Sequence, residues 1–131
     1  PADPWDELKA VSMLSWCSSG IHPFLSRINN PARVCDAPGA ADSVRRFAAE
    51  GIYENFAIAD SMLAGREWFF DHFTAPDAHF FWCFRRATQF ELDLSGFRNC
   101  QAHFARMQAR PSVKKLLAFE KEVNERFAKT A

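Results

Sequence analysis

The sequence predicts an all-α fold, a bundle of five helices. Apolar side chains recur every three or four residues in five stretches of the chain, which is the period of a helix with one buried face. Segments containing proline or glycine separate these stretches, and none of them alternates between apolar and polar residues as a half-buried strand does. The 131 residues are enough to bury a sizeable core. We expect one domain over residues 1–131.

The first predicted helix begins at Asp3-Pro4, where an N-cap residue precedes a proline at the first helical position. It ends near Asn30-Pro31. Pro23 lies inside it and has no N–H for the carbonyl of Ser19, so the helix should bend between these two residues and free polar backbone beside His22. The predicted apolar face consists of Leu8, Val11, Leu14, Cys17, Ile21, Phe24 or Leu25, and Ile28.

A loop over residues 31–39, with two prolines and a glycine, leads to a second helix that ends near Leu63. Gly65 follows where a left-handed residue commonly closes a helix. Gly51 lies in the middle of this helix and allows another helix to approach closely. The predicted apolar face consists of Val44, Phe47, Ala48, Gly51, Ile52, Phe56, Ala59, Met62 and Leu63.

The sharpest local signal is Thr74-Ala75-Pro76-Asp77. A hydroxyl residue followed three positions later by a carboxylate predicts a capping box, in which each side chain bonds the other's backbone N–H. The aromatic residues 66–73 before it should fold back onto the core. The helix behind the cap runs to about Gln89 and is apolar nearly all round, so we expect it to be central and buried. Its apolar residues are Ala78, Phe80, Phe81, Trp82, Cys83 and Phe84.

Two further helices complete the prediction. The fourth begins near Phe97 and stops at Arg110-Pro111. The fifth begins at Ser112 and ends near Phe127, with basic and acidic residues interleaved on its outer face as on a solvated helix.

Composition excludes several classes of function. Sixteen Lys and Arg balance sixteen Asp and Glu, so no net charge favours nucleic acid or an anionic membrane as a partner. The apolar runs are too short to cross a bilayer, and the start carries no export signal. Four scattered cysteines favour reduced, buried thiols. His72, His79, His103 and Asp71 lack the close spacing of a metal site, so we expect no metal.

The aromatic content points to a partner. Fourteen Phe and four Trp are more aromatic surface than a small helical domain can bury against itself. We expect part of it to meet another domain or subunit.

The order of these segments resembles the C-terminal domain of glutathione S-transferases, and bacterial beta-like members in particular. The resemblance extends from Asp3 to about Leu117, and the capping segment is its most specific part. It is carried by Ile21-His22-Pro23-Phe24, Met62-Leu63-Ala64-Gly65, the aromatic residues 68–73, Thr74-Ala75-Pro76-Asp77-Ala78, Leu92-Asp93-Leu94 and Ala109-Arg110-Pro111-Ser112-Val113.

The resemblance implies a cytoplasmic, homodimeric enzyme of two domains. A thioredoxin-like domain would bind the co-substrate glutathione and activate its thiol, and the helical domain would supply the pocket for a small electrophile. This chain would then be the second domain only, with residues 1–4 as the end of a linker. It would be inactive alone, would bind no cofactor, and would hold no catalytic residue, so Tyr53 and the cysteines are not expected to be catalysts. Thr74 and Asp77 would be a structural cap.

Four residues are candidates for substrate binding. By the resemblance, His22 faces the cleft between the domains, although a lone histidine is also common as a packed or surface residue. Ser15 and Ser19 lie on the same helix face and form a polar strip that fits either a cleft or a solvated face. Arg86 lies where the family commonly has a pocket-lining tryptophan. If Arg86 enters the cleft, the pocket suits a polar or anionic substrate; otherwise it points to water.

The sequence leaves two functions open. One is a glutathione-dependent transferase, and the other is a non-catalytic transferase-like module for protein assembly. The polar strip around His22 favours the first, and an exposed aromatic surface favours the second.

Overall fold

The computed structural model describes residues 3–130, with side chains described up to residue 128, and within that range it is helical with no β-strand. Pro1 and Ala2, which we expected to belong to a linker, lie outside the described residues. The α-helices are α1 (Pro4–Ser15), α2 (His22–Asn29), α3 (Ala40–Met62), α4 (Ala75–Ala87), α5 (Arg98–Ala109) and α6 (Pro111–Thr130). A π-helical turn (Trp16–Ile21) joins α1 to α2, and a short 3₁₀ turn (Pro31–Arg33) follows. Because α1 and α2 form one bent helix, the predicted fold of five helices is confirmed.

The predicted bend is the π-helical turn. The N–H of His22 donates to the carbonyl of Cys17, five residues earlier rather than four, just before Pro23. Serine hydroxyls bond the carbonyls leading into this turn. Ser18 Oγ donates to the carbonyl of Leu14 at 2.8 Å, and Ser19 Oγ donates to that of Ser15 at 2.6 Å. The proline thus shifts the hydrogen bonding of the helix without ending it.

The predicted apolar face of α1 is wrong at two positions. Leu8 and Val11 are each 58% exposed, whereas Ala10 and Met13 are buried. An extra residue in a π turn rotates the two halves of a helix by about 100° relative to an unbroken α-helix. A face extended back from Ile21 at regular spacing therefore falls on the wrong side of α1.

Helix α3 lies against α2 at Gly51. A methyl group added there would come within 2.5 Å of the Phe24 ring, so glycine allows the close approach that the sequence predicts. Gly65 has a positive φ of 70°, as predicted for a residue that closes α3. Phe47 and Met62, which we assigned to the apolar face, are exposed at its edges.

Helix α4 is central, and its buried residues are Pro76, Asp77, Phe80, Phe81, Cys83, Phe84 and Ala87. It is not buried on every side, contrary to the prediction, because Ala78 and Trp82 are exposed. The folded-back segment before it is anchored by Phe69, which is buried in the main core. One open face of α4 therefore remains beside α2 and α6.

The N-terminus of α5 is capped from another helix. Asp60 Oδ1 in α3 accepts from the N–H groups of Asn99 and Cys100 at 2.8 and 2.9 Å. The N-cap residue of α5, Phe97, offers no side-chain bond of its own. Asp60 thus satisfies backbone donors that the helix cannot satisfy itself.

Helix α6 packs mainly on α5. Val113 is its buried anchor, and Leu117 packs beside it on Phe81 and Met107. A salt bridge at 2.7 Å between Arg85 of α4 and Glu120 of α6 holds the two helices together farther along.

Candidate functional site

The Thr74–Asp77 cap is a buried structural centre. Both halves of the capping box are present. Asp77 Oδ2 accepts from Thr74 N–H at 2.8 Å and from the Thr74 hydroxyl at 3.0 Å. The N–H of Asp77 donates to the Thr74 carbonyl at 3.1 Å. Asp77 Oδ1 also accepts from Phe69 N–H and from His103 Nε2, at 3.1 and 3.0 Å. No solvent reaches Asp77, so it serves the fold rather than a ligand.

The open face of α4 lies beside α2. Trp82 is 40% exposed, and the His22 ring packs edge-on against it with ring centroids 4.8 Å apart. One turn farther along α4, Arg86 Nη2 donates to the side-chain oxygen of Asn29 at 2.9 Å. The structure therefore brings His22 and Arg86, both selected from the sequence, to the same face around Trp82.

A cavity of about 240 Å³ opens between this face and α6. Two arginines contribute to it, and they differ in partners. Arg85 is paired with Glu120, while Arg86 bonds the neutral side chains of Asn29 and Gln89 and lies over the Phe90 ring. The cavity is lined by Trp82, Arg85, Arg86, Gln89, Glu120 and Asn124. It is an aromatic and basic cleft rather than a purely apolar one.

The two serines selected from the sequence lie before His22 on the same bent helix. Ser15 ends α1, and Ser19 lies in the π-helical turn. Ser15 and Ser19 are exposed, but the hydrogen of the Ser19 hydroxyl is used by the Ser15 carbonyl. The Ser19 oxygen can still accept a bond from a ligand. These serines do not line the cavity beside Arg86.

Sequence reasoning missed several members of the site. Trp82 was assigned to the core, and Asn29, Gln89 and Asn124 were not considered. The signal was partly visible, because Trp82, Arg86 and Gln89 recur at spacings of four and three along α4 and its end. Asn29 is 57 residues from Arg86, so no local pattern could reveal that contact.

His79 lies one turn before Trp82, at the other end of the same face. Burial, together with the nearby His22, lowers the pKa of His79. The lowered pKa favours the uncharged imidazole, so His79 does not strengthen the positive charge of the cleft.

The remaining titratable candidates have structural surroundings. The Tyr53 hydroxyl accepts from Asp93 N–H at 3.2 Å, and its ring stacks on Phe97. Cys17, Cys83 and Cys100 are buried, and no cysteine forms a disulfide. Over residues 3–128, no group of three or more His, Cys, Asp or Glu side chains is placed to hold a metal ion. No helix in the described part of the chain is long and apolar enough to span a membrane.

Comparisons with known proteins define the class of fold. No family model matches the sequence, and neither does any curated protein. Solved structures do match, and the fold is that of the C-terminal helical domain of glutathione S-transferases. One of them is a glutathione S-transferase from Xylella fastidiosa, which superposes on 91% of this chain with a TM-score of 0.83 and 21% sequence identity. The present chain spans 58% of the length of that protein. At this identity the likeness establishes the fold alone.

Proposed function

We propose that this chain supplies the electrophile pocket of a glutathione transferase and is inactive without a thioredoxin-like domain that binds glutathione. The observation that carries the proposal is the cleft itself. Trp82 is exposed, is flanked by His22 and Arg86, and lines a cavity at the surface of a transferase-like helical fold. In this proposal Trp82 and Arg86 contact the electrophile inside the cavity, and His22 and the Ser15–Ser19 strip, which lie outside its lining, contact the part that extends beyond it.

The division of labour follows from the chemistry. Conjugation needs a glutathione thiolate, and a thiolate at neutral pH needs a hydrogen-bond donor or a positive charge beside the sulfur. The cleft offers Arg86 as a charge, but its walls hold no hydroxyl or thiol beside it. In this proposal the helical chain holds the electrophile, and another domain activates the thiol.

The test compares this chain with the full product of its gene. We expect no heat when millimolar glutathione is titrated into the chain, and no conjugation of 1-chloro-2,4-dinitrobenzene. We expect the coding sequence upstream of residue 1 to encode a thioredoxin-like domain, and the full product to conjugate the substrate. In that product Trp82→Ala should raise KM, whereas Phe119→Ala, which removes an exposed ring on α6, should not. Glutathione binding by the chain alone would contradict the proposal.

We also propose that the protein is a cytoplasmic homodimer that pairs through α1 and α3. Trp5, Leu8, Ile58 and Met62 are exposed on these helices. Trp5, Leu8 and Met62, with Phe69 and Phe70 of the folded-back segment, line an apolar groove of about 540 Å³. A sedimentation measurement on the chain and on its Leu8→Glu variant tests this, since the variant should be monomeric and the parent should not.

A non-catalytic assembly module is the second candidate function. The observation in its favour is the outer face of α6, where Leu116 and Phe119 are exposed. This function is supported instead if the upstream coding sequence lacks a thioredoxin-like segment and the full product does not bind glutathione.

A further inference from the structure

The cleft beside α4 holds a cation that no acidic side chain neutralises. Among residues 3–128, the guanidinium of Arg86 has no carboxylate within salt-bridge distance. Its hydrogen bonds go to the side-chain amide oxygens of Gln89 and Asn29, and its central carbon Cζ lies over the Phe90 ring, 5.6 Å from the ring centroid. These contacts fix the position of the charge without cancelling it.

The neighbouring arginine gives an internal contrast. Arg85 lines the same cavity, but its guanidinium is bonded to the Glu120 carboxylate at 2.7 Å. The other polar lining groups, Gln89 and Asn124, are neutral amides. One positive charge in the lining is therefore left uncompensated, and it belongs to Arg86.

Arg86 also has donors to spare. A guanidinium carries five N–H groups in a planar fork that matches a carboxylate or sulfonate. The bonds to Gln89 and Asn29 use one hydrogen on each terminal nitrogen. Donors remain on both terminal nitrogens and on Nε, and the side chain is only half-buried.

The second feature of the cleft is aromatic. Trp82 lies one helical turn from Arg86, and the His22 ring supports it from the α2 side. Its exposed surface faces the cavity that Arg86 also lines. An indole face next to a fixed guanidinium is complementary to a flat ring that bears an acidic group.

We propose that this cleft selects aromatic electrophiles carrying a carboxylate or sulfonate, with the ring on Trp82 and the acidic group on Arg86. The inference rests on the proposed function only in calling the ligand an electrophile. The preference for an aromatic ring with an acidic group is a property of this chain. Arg86 is a specificity-determining residue in this view, and Trp82 is the platform.

The experiment uses two probes of nearly the same shape, the anionic 4-chloro-3-nitrobenzoate and the neutral 4-chloro-3-nitrobenzamide. Each is titrated into the chain at pH 7.5 and low salt without glutathione, and binding is followed by the NMR signal of the Trp82 indole N–H, assigned with Trp82→Phe. We expect the acid to bind about tenfold more tightly than the amide, as for a charge-assisted contact with a fixed arginine. We expect this preference to shrink as salt is added.

Three variants assign the preference to its residue. Arg86→Gln should remove the preference, so that the acid binds no more tightly than the amide, while Arg86→Lys should keep part of the preference. Arg98→Gln is the matched control, because Arg98 is exposed at the start of α5 and the substitution removes the same charge. Unfolding in urea checks that each variant is folded.

The outcomes separate this inference from the proposed function. Three results would each overturn the inference and leave the proposed function standing. They are equal binding of the two probes, no binding of either probe up to 10 mM (about the limit of a useful titration), and an equal loss of the preference for the acid in Arg86→Gln and Arg98→Gln. Selective binding of the acid, together with a full gene product that does not conjugate glutathione, supports the inference and defeats only the proposed function.

Discussion

His103 Nε2 in α5 donates to Asp77 Oδ1 in α4 at 3.0 Å, with the two side chains 1% and 0% exposed. An ionised carboxylate only accepts hydrogen bonds, so Nε2 carries the hydrogen. The His103 ring is enclosed by Trp68, Phe69 and Phe80, and its Nδ1 is buried without a partner in the described part of the chain. Asp77 therefore links the helix cap, the folded-back segment and α5 through one carboxylate.

Replacing Asp77 should be the most destabilising polar substitution at this centre. Asp77→Ala leaves the donors of Thr74, Phe69 and His103 buried without an acceptor. We expect the free energy of unfolding in urea to fall by about 3–5 kcal/mol. Asp36→Ala, at an exposed position before α3, is the control and should change it by less than about 0.5 kcal/mol. Similar losses in both variants would contradict the role of Asp77.

The same carboxylate should make stability depend on pH in the acid range. Burial alone would raise the pKa of Asp77, but bonds from His103, Thr74 and Phe69 outweigh it and hold the pKa below its usual value. The folded-state pKa is thus lower than the unfolded-state pKa of about 3.9. The stabilisation is present above the unfolded pKa and is lost as pH falls through the folded pKa.

The measurement is urea unfolding from about pH 6 to about pH 2 for the parent and for Asp77→Asn, which cannot ionise. The parent should lose more free energy of unfolding below about pH 4 than the variant does. Parallel curves would show that Asp77 is not held in its ionised form.

Much of this centre, and of the fold, could be predicted from the sequence. Four features are local, because each depends on residue types a few positions apart. They are the capping box, the bend at Pro23, the turn at Gly65 and the close approach at Gly51. The partners His103 and Asp60 could not be found this way. His103 is 26 residues from Asp77, and Asp60 is 39 from Asn99, so neither pair leaves a periodic trace.

The wrong predictions of which helix faces are buried also arise from features that regular spacing along the chain does not record. The pattern in α1 was extended through Pro23 at regular spacing, whereas the π turn shifts the register. Trp82 was assigned to the core because aromatic residues surround it in sequence. Whether the Trp82 ring is buried in the core or faces the cleft depends on packing between helices, which the periodicity along one helix does not encode.

The tertiary cap of α5 should be measurable in the same way. Asp60→Ala removes the acceptor for the N–H groups of Asn99 and Cys100 and for the side-chain amide of Asn99. We expect a loss of about 1–3 kcal/mol, because the first turn of α5 then lacks a cap. Asp60→Asn keeps an acceptor oxygen and should cost less. If Asp60→Ala lowers the free energy of unfolding no more than Asp36→Ala does, Asp60 does not cap α5.

Replacing Gly51 with alanine should change the stability of the protein in opposite directions with and without the Phe24 ring. Alanine is about 1 kcal/mol better than glycine inside a helix, yet a methyl at Gly51 would lie 2.5 Å from the Phe24 ring. Gly51→Ala should therefore destabilise the parent by about 1 kcal/mol or more. In a Phe24→Ala background the same substitution should stabilise by about 0.5–1 kcal/mol. Thermal unfolding of the four proteins measures the coupling, and the same sign in both backgrounds would refute the close contact.

The four cysteines should differ in reactivity toward a disulfide reagent such as Ellman's reagent. Cys35 lies half-buried in the loop after α2, whereas Cys17, Cys83 and Cys100 are buried. A hydrogen bond to the Cys17 thiol, together with burial, raises the pKa of Cys83, and burial with the nearby Asp60 raises that of Cys100. The reagent needs an accessible thiolate, so one thiol should react in the folded protein and all four only in urea. Cys35→Ser should abolish the native reaction, whereas Cys100→Ser should leave it unchanged. More than one thiol reacting at the rate of Cys35 without denaturant would mean that the core around the buried cysteines opens far more readily than this packing implies.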